Sequence, residues 1–523
     1  MNHQNTISTF LPLEAERILA DLEPDADCLA ALQARHPGLV IFGPETSGSA
    51  DVVLLIGGHD LAARLKALAP RLTSEGCCVV FTANRRHYRR LEAWFSGEAA
   101  PTGSDPGLSR DELQQAVGSA GLRLAKIRSI FDDREAAKTA AEALVPFGRR
   151  LGLEPQALAD QVASAAFLAQ TRPRARQGRP ITVTGMTLGS KPDAMAIVRM
   201  AGPLAALASL PDFAVSTLAP KPAVRRASDG TKNDIFIWQR PILTDAARPA
   251  IDQIISTHHL FVLEFDDHPM RWPAIAQSGY LNFRAPHAVR TSTETLAAIL
   301  REFNANVFVS PNQIETLPTF HPVEDRKGPL RLLFAALNRK DDWAPEIAAV
   351  NQVLKRYPAT TLAVDVVFDR EFFDALEAQD KRFHPLLPYE GYKALLAKAD
   401  IAWLPLGDTL FNRCKSDLKF IECAAYGVAI LASPVLYEQV IRDGETGLVY
   451  RSHEALANGL AALIEDADLR ARLVRAAYDE IAATRLRVHH VAREANWYRS
   501  LLDRHDALED ERQGRMARLP LVG

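Results

Sequence analysis

From Ile181 onward the chain alternates short, almost wholly apolar runs with segments of helical apolar spacing, and it does so in two successive series. The first series has its runs at Ile181 to Val183, Ile235 to Trp238, Leu260 to Phe265 and Val307 to Val309. The second has them at Leu330 to Ala335, Thr361 to Val367, Ile401 to Leu404 and Ala429 to Ala432. A strand that is apolar along its whole length must be covered on both faces, and a parallel neighbour requires a long crossover, which a helix supplies. The pattern predicts two consecutive Rossmann-like halves, joined by the polar stretch Pro322 to Gly328.

The residues before Ile181 predict a smaller α/β domain over 1–133, then an alanine-rich helical segment and linker over 134–178. The linker, Thr171 to Pro180, carries two prolines, one glycine and four arginines, and is expected as a solvated hinge. The expected fold class is α/β: two Rossmann-like lobes over 179–322 and 328–507, the smaller domain before them, and a C-terminal tail over 508–523. A length of 523 residues accommodates three such units. A net charge of −3 gives no global attraction to nucleic acid or anionic lipid, so a nucleic-acid partner is not expected. Five cysteines without metal-ligand spacing point to a reducing cytoplasm and to no metal site. No apolar run reaches the roughly 18 residues needed to span a bilayer, so a cytoplasmic location is expected, with peripheral contact at the inner membrane left open.

The densest polar pattern is Asn412-Arg-Cys-Lys-Ser-Asp-Leu-Lys-Phe-Ile-Glu-Cys-Ala-Ala-Tyr-Gly427. It predicts a helix opening at Ser416 or Asp417, carrying Lys419 and Glu422 at i, i+3, and stopped by Gly427 before a buried strand. Unpaired N–H groups and the positive dipole end at such a helix mouth, with Lys415 and Lys419 beside it, suit a diphosphate. Glu422, one turn in, suits ribose hydroxyls. The blander possibility is a solvated helix whose Lys419 and Glu422 merely pair, worth only a few tenths of a kcal/mol. In the first series, Leu263-Glu-Phe-Asp-Asp-His-Pro269 ends a strand with acidic groups at the end where α/β sites lie. Asp266, Asp267 and His268 are candidates to bind an acceptor hydroxyl or act as a base, or else to cap the following turn.

Glu422-Cys-Ala-Ala-Tyr-Gly-Val-Ala-Ile-Leu-Ala-Ser433 and Ile441-Arg-Asp-Gly-Glu-Thr-Gly-Leu448 resemble the nucleotide-sugar lobe of GT-B glycosyltransferases, especially family 4 and its group 1 relatives. The resemblance implies that Ile181 to Lys191 is the first strand and glycine loop of the acceptor lobe, with Gly185 and Gly189, and that Val289 to Asn312 leads toward the second lobe. It implies that Arg339 and Lys340, after the first donor-lobe strand, reach the diphosphate. One departure stands out: the family's Glu-x7-Glu motif keeps only its second member, and Cys414 occupies the place of the first. Recognition of the transferred sugar then falls to other groups, Asn412, Lys415 and Ser416 being nearest, unless the chain is an inactive copy. The resemblance further implies retaining transfer from a UDP- or GDP-sugar with no metal or other cofactor, an inverting reaction with Asp266 or Asp267 as base remaining open. The acceptor would be a glycan, a lipid-linked glycan or a protein in bacterial surface glycan assembly. A GT-B-fold sugar-nucleotide epimerase or a catalytically inactive sugar-nucleotide-binding protein is the alternative.

Cys77-Cys-Val-Val-Phe-Thr-Ala-Asn-Arg-Arg-His-Tyr88, Leu108 to Leu113 and Ala120-Gly-Leu122 resemble the later half of S-adenosylmethionine methyltransferases. Where that family has its glycine-rich loop, Ala20 to Asp27 contain no glycine, so close approach of the backbone to a cofactor is blocked. The resemblance implies a degenerate methyltransferase-like domain, serving as a docking or dimerisation module through which the chain forms a homo-oligomer, or one that retains weak cofactor binding.

Overall fold

The computed structural model describes residues 4–22, 24–96, 106–150, 152, 154–173, 180–187, 193–218, 234–257, 260–322, 327–335 and 337–519. They divide into two compact units, 1–181 with 205–214, and 182–204 with 215–523.

The first unit is built on one six-stranded sheet: β1 (Arg17–Ala20), β2 (Val40–Phe42), β3 (Ala50–Ile56), β4 (Leu72–Ala83), β5 (Leu122–Ile130) and β6 (Ala166–Pro173), in the order β2-β1-β3-β4-β6-β5. The strands from β2 to β4 are parallel, whereas β6 runs antiparallel between β4 and β5. This corrects the expected boundary at 133. The helices Arg134–Arg150 and Pro155–Ala163 are followed by β6, so residues 134–173 complete the sheet instead of leaving it. Alanine favours helix by propensity, and Ala166-Phe-Leu-Ala169 continues an alanine-rich pattern without a break, so only the sheet it enters makes it a strand. Of the predicted hinge, Thr171 to Pro173 lie in β6 and residues 174–179 fall outside the described residues.

The second unit holds two sheets. The first lobe has β7 (Ile181–Met186), β8 (Phe213–Leu218), β9 (Asp234–Gln239), β10 (Leu260–Glu264), β11 (Ala288–Thr291) and β12 (Val307–Val309), ordered β12-β11-β10-β9-β7-β8. The second lobe has β13 (Leu330–Ala335), β14 (Leu362–Val367), β15 (Lys381–His384), β16 (Ile401–Leu404), β17 (Ala429–Ala432) and β18 (Leu448–Val449), ordered β15-β14-β13-β16-β17-β18. Every strand pairing described in the second lobe is parallel. Counted from its own first strand the order is 3-2-1-4-5-6, the doubly wound Rossmann order, with its switch point between β13 and β16. The α/β class and the paired Rossmann-like lobes are as the apolar runs predict.

β10 and β14 are buried along their whole length. Their two charged residues are matched, as buried charges must be: Asp365 by Arg331 at 2.6 Å and His384 at 2.7 Å, Glu264 by Arg199 at 2.8 Å and by Arg290. Gly185 sits inside β7, not in the following loop. A Cβ there would collide with Leu204 Cδ1, so its lack of a side chain serves strand-to-helix packing. Gly189 lies outside the described residues.

The chain's last helices return to the first lobe. Trp497, on Val491–Asp503, stacks on Phe308 with ring centroids 4.5 Å apart. On His505–Ala517, Glu509 meets His287 at 2.9 Å and Arg515 donates to the carbonyls of Arg284 and Pro286 at 3.2 and 2.7 Å. Residues 508–519 are therefore a docked helical element where a tail was expected, since helical spacing on its own does not say which sheet it will cover. Among the described residues no helix is long and apolar enough to cross a membrane.

Candidate functional site

A cavity of about 390 Å3 opens at the C-terminal ends of both sheets in the second unit. Its second-lobe wall includes the loop after β13 and Leu404 to Leu406 at the end of β16, which places it at the topological switch point. Asp267, Arg339, Lys415, Lys419 and Glu422 line it; Asp266, His268, Lys340, Asn412 and Ser416 do not.

The helix carrying the densest motif spans Leu418–Ala425, with Asp417 at its N-cap position. Asp417 does not cap with its side chain; it takes a bidentate pair from Arg485 at 2.6 and 2.9 Å. Gly427, with φ of +65°, ends the helix as predicted. Glu422 is 1% exposed. Its Oε1 accepts from the Tyr389 hydroxyl at 2.8 Å and its Oε2 from Tyr392 at 3.1 Å, while Lys419 Nζ stands 3.4 Å from Oε2 and 3.8 Å from the Tyr392 ring centroid. Burial first, and then the Glu422 charge, push both phenols well above their usual range, so they stay protonated donors. The i, i+3 pair of the blander reading is present, but it forms one side of a buried carboxylate site rather than a solvated face.

Arg339 reaches the cavity under tight control. Its Nη1 donates to Asp342 Oδ2 at 3.0 Å and Asn412 Oδ1 at 3.1 Å; the Asn412 amide donates in turn to Asp342 Oδ1 at 2.7 Å and the Gly407 carbonyl at 2.9 Å. Asn412 thus orients Arg339. Lys340, next in sequence, is exposed and pairs with Glu371 on the surface, away from the cavity. Ser416 accepts from Asn312 Nδ2 at 2.7 Å, tying the motif to the segment that leaves the first lobe.

Cys414, at the place of the absent glutamate, is buried in the first lobe's apolar cluster with Phe265, Phe283 and Val289, and burial pushes its thiol up to about 11. A carboxylate there would enter an apolar core. Lys415 takes the cavity position beside it, its Nζ 4.2 Å from the Phe411 ring centroid and 3.5 Å from Asp267 Oδ1. Burial first, then Arg339, lowers the Lys415 ammonium below its ordinary range.

On the first-lobe side, Asp267 lies 3.6 Å from Arg240 and 3.7 Å from Arg271. Asp266 is buried behind it, 3.4 Å from Arg240, and burial pushes its carboxyl up to about 6. His268 caps a short turn, its Nδ1 accepting from the Met270 N–H at 3.2 Å, and burial lowers its pKa. A carboxyl whose folded value is raised favours the fold while protonated and loses that contribution as pH rises through about 6. Relative to wild type, Asp266→Asn is therefore expected to gain on the order of 2–3 kcal/mol of stability between pH 4 and pH 7. Denaturant unfolding across that range checks this; a flat difference would contradict it.

Arg240, Arg271, Tyr389 and Tyr392 were not singled out from the sequence. Arg240 directly follows the apolar run of β9, and the same strand-end rule that selects Asp267 selects it too. The tyrosines, three apart at the start of the helix Tyr389–Leu396, carry no signal without knowing that Glu422 faces them.

Residues 326–496, the second lobe with the helices that follow it, match the family described as glycosyl transferase-like. No curated protein matches the chain significantly. Solved structures similar to it include a glycosyltransferase from Rickettsia africae, with 13% identity over 62% of this chain and 99% of that one, at a TM-score of 0.44. Another is Anabaena HepE in complex with UDP and glucose, with 13% identity over 61% and 99%, at 0.43. A third is WaaG, a glycosyltransferase involved in lipopolysaccharide biosynthesis, with 14% identity over 60% and 98%, at 0.41. None of these three reaches a TM-score of 0.5.

Proposed function

We propose that this chain, whose residues 326–496 match the glycosyl transferase-like family, is a GT-B glycosyltransferase that moves a sugar from a UDP- or GDP-sugar to an acceptor in bacterial surface glycan or glycoprotein assembly. The observation that carries the reading is the convergence, in one cavity, of a buried carboxylate at Glu422 with Arg339, Lys415 and Lys419. The nucleotide lies against the second lobe. Glu422 engages the ribose, exchanging its tyrosine hydrogen bonds for ribose hydroxyls, and the three cations hold the diphosphate.

These cations provide the positive charge that a divalent ion would otherwise bring to the leaving phosphate, so transfer is metal-independent and needs no other cofactor. Asp267 faces three cations, Lys415 at 3.5 Å, Arg240 at 3.6 Å and Arg271 at 3.7 Å, and Asp266 is not part of the cavity lining. Neither stands ready as a general base. The leaving diphosphate therefore takes the acceptor proton on the same face of the sugar, which retains the anomeric configuration.

In the first unit, the order β2-β1-β3-β4-β6-β5 with a reversed β6 supports the methyltransferase-like reading. The place after β1 where a cofactor would lie holds Asp21 paired to Arg64. The Arg64 guanidinium also donates to the carbonyls of Ile56, Gly57 and His59 at 2.8, 3.1 and 2.9 Å. A unit closed in this way is degenerate with respect to S-adenosylmethionine.

The test is turnover. Purified protein is incubated with UDP- and GDP-sugars, with and without bacterial envelope glycolipid and glycoprotein fractions. Release of nucleoside diphosphate that requires the acceptor fraction and survives EDTA is expected. Conversion of the sugar nucleotide to an epimer without acceptor, or no turnover with any donor, would defeat the reading.

A further inference from the structure

We propose that Arg240 and Arg271 form an anion subsite on the first-lobe side of the cavity, so that the acceptor carries a carboxylate or phosphate group beside the hydroxyl that receives the sugar. The inference rests on the donor site proposed above, because it assigns the second-lobe cations to the nucleotide.

Arg240 directly follows β9, Arg271 ends the short turn Pro269–Arg271 that comes after β10, and both line the cavity. One indole supports the pair: the ring of Trp272 lies 5.2 Å from the Arg240 guanidinium carbon and 5.6 Å from that of Arg271. Their carboxylate contacts are long. Arg240 is 3.4 Å from Asp266 and 3.6 Å from Asp267, and Arg271 is 3.7 Å from Asp267, all beyond the roughly 2.7–3.2 Å of an N–H···O hydrogen bond. By contrast, the exposed Arg413 grips Asp408 at 2.6 and 2.7 Å. Arg240 Nε is buried against Asp266 Oδ1 at 3.4 Å without forming a hydrogen bond to it. The Arg240 backbone also holds φ at +47°, a region an L residue seldom adopts unless its surroundings impose it. A guanidinium that is supported by an indole and short of hydrogen bonds is arranged for a ligand oxygen.

Five cations face two carboxylates among the cavity-lining residues, and Asp266 lies behind Arg240. The second-lobe cations Arg339, Lys415 and Lys419 are assigned to the two phosphates of the nucleotide sugar, so the cations remaining for an acceptor anion are the first-lobe arginines. A guanidinium fork matches carboxylate and phosphate oxygens equally well.

The experiment titrates the full-length protein, with and without saturating UDP, with methyl glucuronide against methyl glucoside and with glucose 6-phosphate against glucose, following saturation-transfer NMR. Wild type is expected to bind at least one anionic sugar about tenfold or more tightly than its neutral counterpart, and which of the two does so distinguishes carboxylate from phosphate. Arg240→Gln with Arg271→Gln should abolish the preference, whereas Arg240→Lys with Arg271→Lys should keep part of it; melting curves confirm that both variants fold. Equal binding of charged and neutral sugars by wild type, or a preference undiminished in the glutamine variant, would overturn the proposal. So would loss of UDP binding in that variant without any effect on sugar preference, which would assign the arginines to the donor diphosphate. The titration without UDP reads the subsite directly, so a wild-type protein that fails to bind UDP or GDP defeats the donor reading separately.

Discussion

Replacing Arg339 by alanine is expected to slow release of nucleoside diphosphate from the donor by about 10²–10³-fold, the range seen when one preorganised donor to a developing negative charge is removed. Arg339 is fixed before any ligand arrives, its Nη1 held by Asp342 and Asn412 at 3.0 and 3.1 Å, so little reorganisation is left for the reaction itself. If it acts mainly on charge that develops as the phosphate leaves, the loss falls on kcat more than on KM. Asn412→Ala should give a smaller loss in the same direction, because it removes one of the two anchors of the guanidinium and leaves Asp342. Lys340→Ala should leave the rate near wild type, since that side chain pairs with Glu371 on the surface. Steady-state kinetics on the three variants check the order, and a Lys340 effect equal to that of Arg339 would contradict it.

The second large effect is on stability. Arg290 is fully buried and holds Glu264, Glu494, the Tyr498 hydroxyl and the Arg199 carbonyl together. Glu264 belongs to β10, and Glu494 to the helix Val491–Asp503 that follows the second lobe in sequence. One guanidinium therefore fastens the returning C-terminal helix to the first lobe's sheet. Arg290→Met leaves two carboxylates buried without their shared partner, and a loss of about 3–5 kcal/mol is expected for breaking a buried network on one side. Replacing Arg290 and Glu494 together by apolar residues of similar volume should cost less than the single change, because Glu264 keeps Arg199 as its partner at 2.8 Å and no carboxylate is left unpaired. Denaturant unfolding followed by tryptophan fluorescence distinguishes the two; Trp497 reports on the returning helix through its stack on Phe308.

The paired lobes were legible because parallel strands buried on both faces leave an unmistakable trace, as in Leu260 to Glu264 and Leu362 to Val367. The helix at Leu418–Ala425 was legible too, through Gly427 and the polar opening before it. What failed to show in the sequence depends on contacts distant along the chain. Ala166 to Pro173 reads as more helix until β4 and β5 are seen on either side of it. Arg339 and Lys340 are adjacent and chemically alike, and only the fold decides that one enters the cavity and the other pairs with Glu371. Cys414 could be recognised as a departure from a motif, but not that it packs among Phe265, Phe283 and Val289 of the other lobe.

The most direct test is calorimetric titration of the wild-type protein and of Glu422→Ala with UDP- and GDP-sugars in the presence of EDTA. The proposed site requires that wild type bind one of these nucleotide classes with one-to-one stoichiometry. Loss of the buried carboxylate should weaken that binding by about tenfold or more, the cost of a charge-assisted hydrogen bond to ribose. If wild type binds neither class, or if Glu422→Ala binds as tightly as wild type, the nucleotide does not lie against this helix and the proposed donor site is wrong.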